Sequence, residues 1–256
     1  MLAGSLDSPS THAWSVWLPV LITGFPAAAF GTNCYIVAPE PGAECVVVDP
    51  GIGVVDQLDE VLAELRVKPV AVLLTHGHID HTFSVTPVCG ARDVPAYLHP
   101  DDNGMLRDPL VGISPETAAL FGGRLEWTEP DDVRPLVDGA VLNIAGLELT
   151  VDHAPGHTGG SVLFRLPEDS NGDDPEVCLS GDVLFAGSIG RTDLPGGDHD
   201  TMLRSLSTKI LPLRDEVVVL PGHGPQTTIG RERASNPFLQ HLRPVSGDSQ
   251  APRRGL

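Results

Sequence analysis

Basic residues are scarce in this 256-residue chain: 16 lysines and arginines stand against 34 aspartates and glutamates, which gives a formal charge of −18. Proteins that bind nucleic acids use clustered lysines and arginines to contact phosphates, so this balance argues against a nucleic-acid partner. The same shortage argues against a polybasic protein held on an anionic membrane surface. The charge therefore disfavours two classes of partner, but it does not identify an activity.

Cysteine is also rare, and the cysteines that are present lie far apart. None of them forms a CxxC pair; they are Cys34, Cys45, Cys89 and Cys178. Small secreted domains that depend on disulfides carry many closely spaced cysteines. We therefore expect free thiols in a reducing compartment.

The apolar stretch 14–30 lacks the features of a targeting segment. A signal peptide needs a positively charged region ahead of its apolar core, and the first basic residue of this chain is Arg66. Pro19, Gly24 and Pro26 interrupt the stretch, so it does not predict a membrane-spanning helix. We predict a cytoplasmic protein with no membrane partner.

Strand and helix patterns alternate along the chain and predict an α/β fold. A β-branched run at 44–49, helical spacing at 54–66 and an apolar run at 70–75 predict a β-α-β unit with parallel strands. The chain is rich in strands after 140. We predict one domain over 14–243, with two mixed sheets between outer helices as a four-layer αββα sandwich.

Three segments are set apart from this domain core. The polar residues 1–13 predict a disordered N terminus, and residues 244–256 predict a flexible tail. Residues 99–135 are rich in proline, aspartate and glycine with short helical patches, and we expect them to form an insertion over the active site.

The densest functional signal is the segment HGHIDH, which directly follows the predicted buried strand at 70–75. It holds four possible metal ligands within six residues: His76, His78, Asp80 and His81. Ligand sites of α/β proteins lie beyond the carboxyl ends of strands. His76 and His78 are two residues apart, so an extended backbone points both rings the same way.

Three further residues stand at predicted strand ends and complete a set of seven nitrogen and oxygen ligands. They are His157, Asp182 and His223. A closed structural zinc site takes four ligands. Seven ligands instead suit two adjacent divalent metal ions that share a carboxylate, an arrangement used for hydrolysis. Imidazole and carboxylate together favour zinc, iron or manganese.

The order HxHxDH, then separate His, Asp and His residues, resembles the metallo-β-lactamase superfamily over about 32–239. The resemblance implies the metallo-β-lactamase fold and a ligand set in which Asp182 bridges two metals. It assigns His76, His78 and His157 to the first metal and Asp80, His81 and His223 to the second. It also implies that Asp49, in VVVDPG, orients a metal ligand or the ligand loop without binding a metal itself. The alternative is that Asp49 only caps a turn.

Within that superfamily, three segments resemble the glyoxalase II-like branch, the hydroxyacylglutathione hydrolases and their short bacterial relatives. They are TNCYIV at 32–37, VVVDPG and GDVLFAGSIGRTD at 181–193. The branch implies a thioesterase that cleaves a small-molecule hydroxyacyl thioester with a hydroxide held by two metal ions. Zinc is the first expectation for both ions, and Asp80 and Asp182 are the carboxylates expected to act in catalysis.

Two departures from glyoxalase II concern the thiol. Only 33 residues follow His223, enough for one helix and a tail where glyoxalase II has a helical domain that contacts glutathione. Where that family has a lysine and a tyrosine, this chain has SIGRTD at 188–193. Arg191 in this segment either holds a substrate carboxylate or pairs with Asp193 or Asp198. Both departures argue against glutathione as the thiol.

Other activities fit the same ligands. A persulfide dioxygenase would use one Fe(II) held by His76, His157 and Asp182, as its own family resemblance implies. A lactonase or another ester hydrolase of this fold would use the same metal pair. Zinc β-lactamases of the histidine-cysteine subclass have a cysteine where Asp182 stands, so we do not expect that activity. A metal-binding module without catalysis is the alternative from another class of protein.

Overall fold

In this computed structural model, the structure describes residues 14–17, 20–121, 127–168 and 175–244. The predictions of a disordered segment at 1–13 and of a tail beyond 244 lie outside the described residues. Thirteen strands are found in the described part of the chain: β1 (Trp14–Trp17), β2 (Leu21–Pro26), β3 (Asn33–Ala38), β4 (Glu44–Val48), β5 (Lys68–Leu73), β6 (Ala96–Leu98), β7 (Val133–Pro135), β8 (Val141–Ile144), β9 (Leu147–His153), β10 (Val162–Leu166), β11 (Val177–Gly181), β12 (Val218–Pro221) and β13 (Thr227–Thr228).

The α-helices are between 4 and 11 residues long. The α-helices are α1 (Val55–Leu65), α2 (Ile79–Thr82), α3 (Val85–Arg92), α4 (Asn103–Arg107), α5 (Pro115–Phe121), α6 (His199–Ser205) and α7 (Ile229–Ser235). Two 3₁₀ turns span Pro100–Asp102 and Pro109–Gly112, and a π-helical turn at Leu206–Ile210 continues α6. No helix in the described ranges is long and apolar enough to cross a membrane.

The strands form two mixed sheets. The first sheet has the order β1-β2-β3-β4-β5-β6-β7, and the second has the order β13-β12-β11-β10-β9-β8. In the first sheet β1 to β4 are antiparallel, whereas β4 to β7 are parallel; in the second, only β11 and β12 are parallel. The parallel pairing of β4 with β5 around α1 confirms the predicted β-α-β unit.

Three separate apolar clusters show that these sheets lie in a four-layer sandwich. One cluster packs α1 and α3 on the first sheet, the second lies between the sheets, and the third packs α6 and α7 on the second sheet. Along β4, Val47 belongs to the first cluster, whereas Val46 and Val48 belong to the second. Successive strand residues point to opposite faces, so a strand buried on both sides is apolar throughout. The predicted αββα architecture is confirmed.

The carboxyl ends of the parallel strands lie at one edge, where the two sheets are joined by hydrogen bonds. The backbone N–H of Val162 donates to the carbonyl of Thr75 at 2.8 Å, and that of Asn33 donates to the carbonyl of Gly222 at 2.7 Å. Tyr35 Oη also donates to the carbonyl of Pro221 at 2.6 Å. These bonds fix the strand ends of one sheet against those of the other.

The segment 99–135 folds partly as predicted and partly differently. Its first residues form short helices that follow β6. Its end, Val133–Pro135, is a strand that pairs with β6 in parallel and extends the first sheet, so it belongs to the sheet and not to a covering insertion. The difference arises because the run is only three residues long and carries no period-two pattern strong enough to predict a strand. Residues 122–126 lie outside the described residues.

Substitution of Phe164 tests how much the packing between the two sheets contributes to stability. Its side chain is fully buried in the middle cluster. We expect Phe164→Ala to lower the free energy of unfolding by about 3–5 kcal/mol, because it leaves a cavity in a closely packed layer. Guanidinium-induced unfolding at fixed metal concentration measures the change. The control is Val141→Ala on β8, a side chain that is 48% exposed, for which we expect a change within about 0.5 kcal/mol. Equal effects for the two variants would contradict the assigned layers.

Candidate metal centre

The segment 76–81 places four polar side chains at the carboxyl end of β5 because its backbone changes from extended to helical. His78 is extended, with φ −64° and ψ 144°, and it precedes the first turn of α2. Gly77 is closely packed, since a Cβ atom there would lie 3.0 Å from the Cβ atoms of both Asp102 and Met105 and these neighbours would have to shift. The extended part therefore holds His76 and His78 on one side, and the helical turn returns Asp80 and His81 to the same place.

Three imidazoles meet in the first cluster. His78 Nδ1 lies 2.8 Å from His157 Nε2, which lies 3.2 Å from His76 Nε2. All three side chains are buried, and their donor atoms lie within 4.8 Å of one another. His157 comes from the loop between β9 and β10, so this cluster joins residues of both sheets.

Hydrogen bonds on the far side of each ring fix which nitrogen faces the cluster. Thr75 Oγ1 donates to Asp49 Oδ2 at 2.6 Å, so it can only accept from His76 Nδ1, which is 3.0 Å away. His157 Nδ1 donates to the backbone carbonyl of Arg191 at 2.7 Å. The Nε2 atoms of His76 and His157 therefore face each other as unprotonated lone pairs. A cation between them would remove the repulsion of the two lone pairs, and neutral imidazole nitrogen is a common metal ligand.

The second cluster contains Asp80, His81 and His223. His223 Nε2 lies 3.2 Å from Asp80 Oδ2 and 3.3 Å from His81 Nε2. His81 Nδ1 donates to Asp49 Oδ2 at 2.9 Å, which leaves its Nε2 facing the cluster. Thr32 Oγ1 donates to Asp80 Oδ2 at 3.0 Å and holds that carboxylate in place. This cluster therefore has its own set of supporting hydrogen bonds.

Asp182 lies between the two clusters. Its Oδ2 is 3.5 Å from His157 Nε2, and its Oδ1 is 3.3 Å from His81 Nε2. The side chain is buried, and Oδ1 has no hydrogen-bond partner among the described residues; the same is true of His78 Nε2. A buried carboxylate oxygen without a hydrogen bond is costly unless a cation compensates it. Its position suits a ligand shared by two ions.

In the first cluster and at Asp182, the charges match those that metal ligands require. Burial and the neighbouring histidines hold the pKa of His76 well below its usual value, and burial with His157 lowers the pKa of His78 to about 3. Burial opposes ionisation of Asp182, but His81 and the other histidines outweigh it and lower the pKa of this carboxyl. Neutral imidazoles and ionised carboxylates are the forms that bind metal ions.

His81 shows the excess of negative charge most clearly. Burial opposes its protonation, yet the carboxylates of Asp182, Asp80 and Asp49 raise its pKa well above the usual value. A buried group that is surrounded by three carboxylates lies where any cation is stabilised. The lone pairs, the unpartnered carboxylate oxygen and this charge together fit two divalent ions.

The structure thus brings together all seven residues that the sequence predicts as metal ligands, and it places Asp49 directly behind them. Asp49 accepts hydrogen bonds from both Thr75 and His81, so it contacts the ligand loop and a ligand at once. Their action as ligands stays a prediction. Arg191 lies at the same cavity, but its guanidinium is paired with Asp193 at 2.7 and 2.8 Å, which is the pairing weighed as one of its two possible roles.

Asp102 is a site residue that the sequence analysis missed. Its buried carboxylate accepts hydrogen bonds from Gly77 N at 2.8 Å, Thr158 Oγ1 at 2.7 Å and Gly160 N at 2.7 Å. Burial raises the pKa of this carboxyl, and the three hydrogen bonds offset that shift only in part. One side chain therefore fixes the loop that carries His76 and His78 against the loop that carries His157.

Position along the fold could have identified Asp102. It follows the end of β6, just as Asp49 follows β4 and His76 follows β5. Two glycines of the histidine motifs also lie against it: a Cβ atom at Gly160 would lie 2.6 Å from Asp102 Cγ, and one at Gly77 would lie 3.0 Å from Asp102 Cβ.

A cavity of about 450 Å³ opens onto both clusters. Five of the predicted ligands line it, together with residues of the loop after β2, the segment 113–117 and the loop after β11. The lining residues beyond the ligands are Phe30, Ile79, Ile113, Ser114, Thr117, Phe185, Arg191 and Leu194. The segment after β6 thus contributes Ile113, Ser114 and Thr117 to the wall of the cavity.

A sequence model described as the Metallo-beta-lactamase superfamily matches residues 27–223. An uncharacterized protein of Mycobacterium tuberculosis (strain H37Rv) is 48% identical over 224 residues, which are 87% of this chain and 99% of that protein. Hydroxyacylglutathione hydrolase GloC of Haemophilus influenzae is 36% identical over 215 residues, which are 84% of this chain and 95% of that protein. The family match includes every predicted ligand.

Two solved structures are similar over nearly their whole length. BLEG-1 B3 metallo-beta-lactamase has a TM-score of 0.74 and 38% identity, and the match covers 85% of this chain and 99% of that one. TTHA1623 in a di-iron-bound form has a TM-score of 0.69 and 39% identity, and the match covers 84% of this chain and 98% of that one. The resemblance inferred from the motifs is confirmed at the level of the superfamily and the fold.

Substitution of Asp102 tests whether this side chain fixes the loop of His76 and His78 against the loop of His157. In Asp102→Asn the amide nitrogen replaces one acceptor oxygen, so at least one of the three hydrogen bonds is lost. We expect the Zn²⁺ dissociation constant, measured by chelator competition, to rise about 10- to 100-fold, as for other residues that support metal ligands. The matched control is Asp101→Asn, which changes the exposed neighbouring carboxylate and should leave the Zn²⁺ affinity of the two clusters unchanged. Equal Zn²⁺ affinity in Asp102→Asn and the unmodified protein would refute the assigned role.

Proposed function

The chain belongs to the metallo-beta-lactamase superfamily, so it is a metal-dependent hydrolase, and from this premise we propose that it is a thioesterase of the glyoxalase II type. Its substrate would be a small-molecule hydroxyacyl thioester. Water adds to the thioester carbonyl carbon, the carbon–sulfur bond breaks, and the products are a hydroxy acid and a thiol. The observation that carries the proposal is the position of Asp182 between two clusters of three ligand-type residues each.

The residues that would hold the metals follow from the clusters. His76, His78 and His157 would hold one ion, Asp80, His81 and His223 the other, and Asp182 would be shared. Bound divalent ions supply Lewis acidity for a carbonyl oxygen and lower the pKa of water from 15.7 toward about 7. The similarity to GloC, whose name states hydroxyacylglutathione hydrolase activity, supports the thioester as the substrate class.

The chain's own side chains keep this site in one geometry. Asp49 holds a proton on His81 Nδ1, and Thr75 accepts the proton of His76 Nδ1, so both rings keep Nε2 free toward the centre. Thr32 orients Asp80 through its hydroxyl. Because these contacts exist before a substrate binds, little reorganisation is needed during the reaction, which is how a preorganised polar site lowers a barrier.

Oxidation of a persulfide by a single Fe(II) is the alternative from oxygen chemistry. His76, His157 and Asp182 would hold that ion. The structure assembles Asp80, His81 and His223 just as closely. Because the persulfide dioxygenases share this ligand pattern, the metal content decides between the two activities: two divalent ions per chain favour hydrolysis, and one iron favours oxidation.

Hydrolysis of a lactone, another ester or a β-lactam ring is the alternative within hydrolytic chemistry. The expectation against a β-lactam rests on the missing cysteine at position 182, but the name of BLEG-1 states B3 metallo-beta-lactamase, and this chain is 38% identical to it. The same metal pair would serve all these carbonyl substrates, so the residues beyond the ligands decide among them.

Metal quantitation on protein purified without added metal, combined with turnover assays, tests the proposal. The substrates are S-lactoylglutathione, a second hydroxyacyl thioester, a lactone, nitrocefin and a persulfide with oxygen uptake recorded. We expect two metal ions per chain and turnover of a thioester. One iron per chain with persulfide-dependent oxygen uptake would overturn the hydrolase proposal and show an oxidation instead. Turnover of only the lactone or nitrocefin would show that the substrate is not a thioester.

Substitution of Asp182 is the most direct test of the dinuclear site. We expect Asp182→Asn to lower the metal content and kcat/KM together, because a neutral amide cannot compensate two cations. The control is Asp56→Asn on the exposed face of α1, which removes one negative charge away from the site and should change neither quantity. Full thioesterase activity of Asp182→Asn with a single remaining metal would overturn the dinuclear proposal.

A further inference from the structure

Four apolar side chains form one side of the cavity, and we call them the apolar wall. They are Phe30, Ile113, Phe185 and Leu194. They come from three segments that are far apart in the sequence: the turn between β2 and β3, the segment before α5 and the loop after β11. None of the four side chains is itself a metal-ligand type. Water against such a surface is displaced favourably by an apolar group of a bound molecule.

Phe30 has a conformation that its own packing does not explain. Its φ is 62°, in the left-handed region that is unfavourable for a bulky residue, and Gly31 follows with φ 67°. Its ring is 71% exposed at the cavity. The backbone carbonyl of Phe30 accepts a hydrogen bond from His223 Nδ1 at 3.2 Å, which ties the turn to the second cluster. That bond accounts for the backbone, and the side chain is left open to the cavity.

The charges at the cavity disfavour a bound anion. Among the described residues that line it, Arg191 is the only lysine or arginine. Its Nε and Nη2 atoms bind the two carboxylate oxygens of Asp193 at 2.7 and 2.8 Å, so its charge is compensated in place. The whole chain carries −18, whereas the charges of Asp80 and Asp182 would be compensated by the two bound ions. An approaching anion therefore meets repulsion at long range and a compensated cation at short range.

We propose that this site selects thioesters in which the group attached to sulfur is uncharged and largely apolar, in preference to conjugates of an anionic thiol. The apolar wall would bury that group, and the Arg191–Asp193 pair would leave a carboxylate on it without a free cation. This inference names the substrate class of the proposed thioesterase and rests on that function.

A pair of substrates that differ in one charge tests the selection. One hydroxyacyl group is attached to 4-methylbenzyl thiol and to 4-carboxybenzyl thiol, whose methyl and carboxylate groups are close in size. We expect kcat/KM to be about tenfold higher for the methyl substrate at low salt, and the ratio to fall as salt screens the repulsion. The glutathione thioester of the same acyl group is measured beside them. Equal or higher kcat/KM for either anionic substrate would overturn the proposal.

Two variants separate the charge from the apolar wall. In Asp193→Asn the guanidinium of Arg191 loses its partner, so kcat/KM for the carboxylate substrate should rise several-fold, with a much smaller effect on the methyl substrate. Leu194→Ser should lower kcat/KM for the methyl substrate and change the carboxylate substrate less. The matched control is Asp200→Asn in the first turn of α6, which removes an exposed charge without freeing Arg191. An Asp193→Asn effect no larger than that of Asp200→Asn would contradict the role of the ion pair.

Binding measurements keep this inference separate from the thioesterase proposal. If the protein as purified turns over none of the thioesters, the proposed activity fails, whereas the selectivity of the cavity is still measured by calorimetry with the two corresponding thioethers, which cannot be hydrolysed. Tighter binding of the methyl thioether supports the inference. Equal or tighter binding of the carboxylate thioether would overturn it, whatever the turnover assays show.

Discussion

The hydrogen bonds of the Asp49 carboxylate are the interaction on which the centre depends. This buried side chain, at the end of β4, accepts from the backbone and hydroxyl of Thr75 and from His81. It thereby joins the ends of two parallel strands, sets the tautomer of His81, and sets that of His76 through the Thr75 hydroxyl. If Asp49 did not occupy this position, the imidazoles would be free to turn and the order of HGHIDH alone would not define a site.

Asp102 has the corresponding role between the sheets. Asp49 acts within the first sheet, whereas Asp102 connects the loop after β5 to the loop after β9 by three hydrogen bonds. Both carboxylates follow a strand of the parallel part of the first sheet. The centre is therefore positioned by buried acids that stand behind the ligands, and the rigidity of the strand ends is passed on to the imidazoles through them.

The fold and the cluster could be predicted because their signals are local in the sequence. The β-α-β pattern at 44–75, the spacing of His76 and His78, and the position of Asp182 after a strand each depend on a few neighbouring residues. Asp102 was not predicted, since its partners Gly77 and Gly160 are 25 and 58 residues away and its contact with them exists only in the folded chain. The strand β7 lies in the same proline-rich segment, and three residues are too few to show the period-two pattern that predicts a strand. For Arg191 the sequence left two roles open, and only the side-chain geometry shows that Asp193 is the partner it contacts.

The seven ligand-type residues come from both sheets, with four on the loop after β5 and three on loops of the second sheet. A separated first sheet would retain the HGHIDH segment but none of His157, Asp182 and His223. Divalent ions that needed the complete set would bind the native arrangement of the two sheets and not the opened chain, and they would stabilise it by mass action. Occupancy of the centre and docking of the two sheets would then be linked equilibria, each of which favours the other.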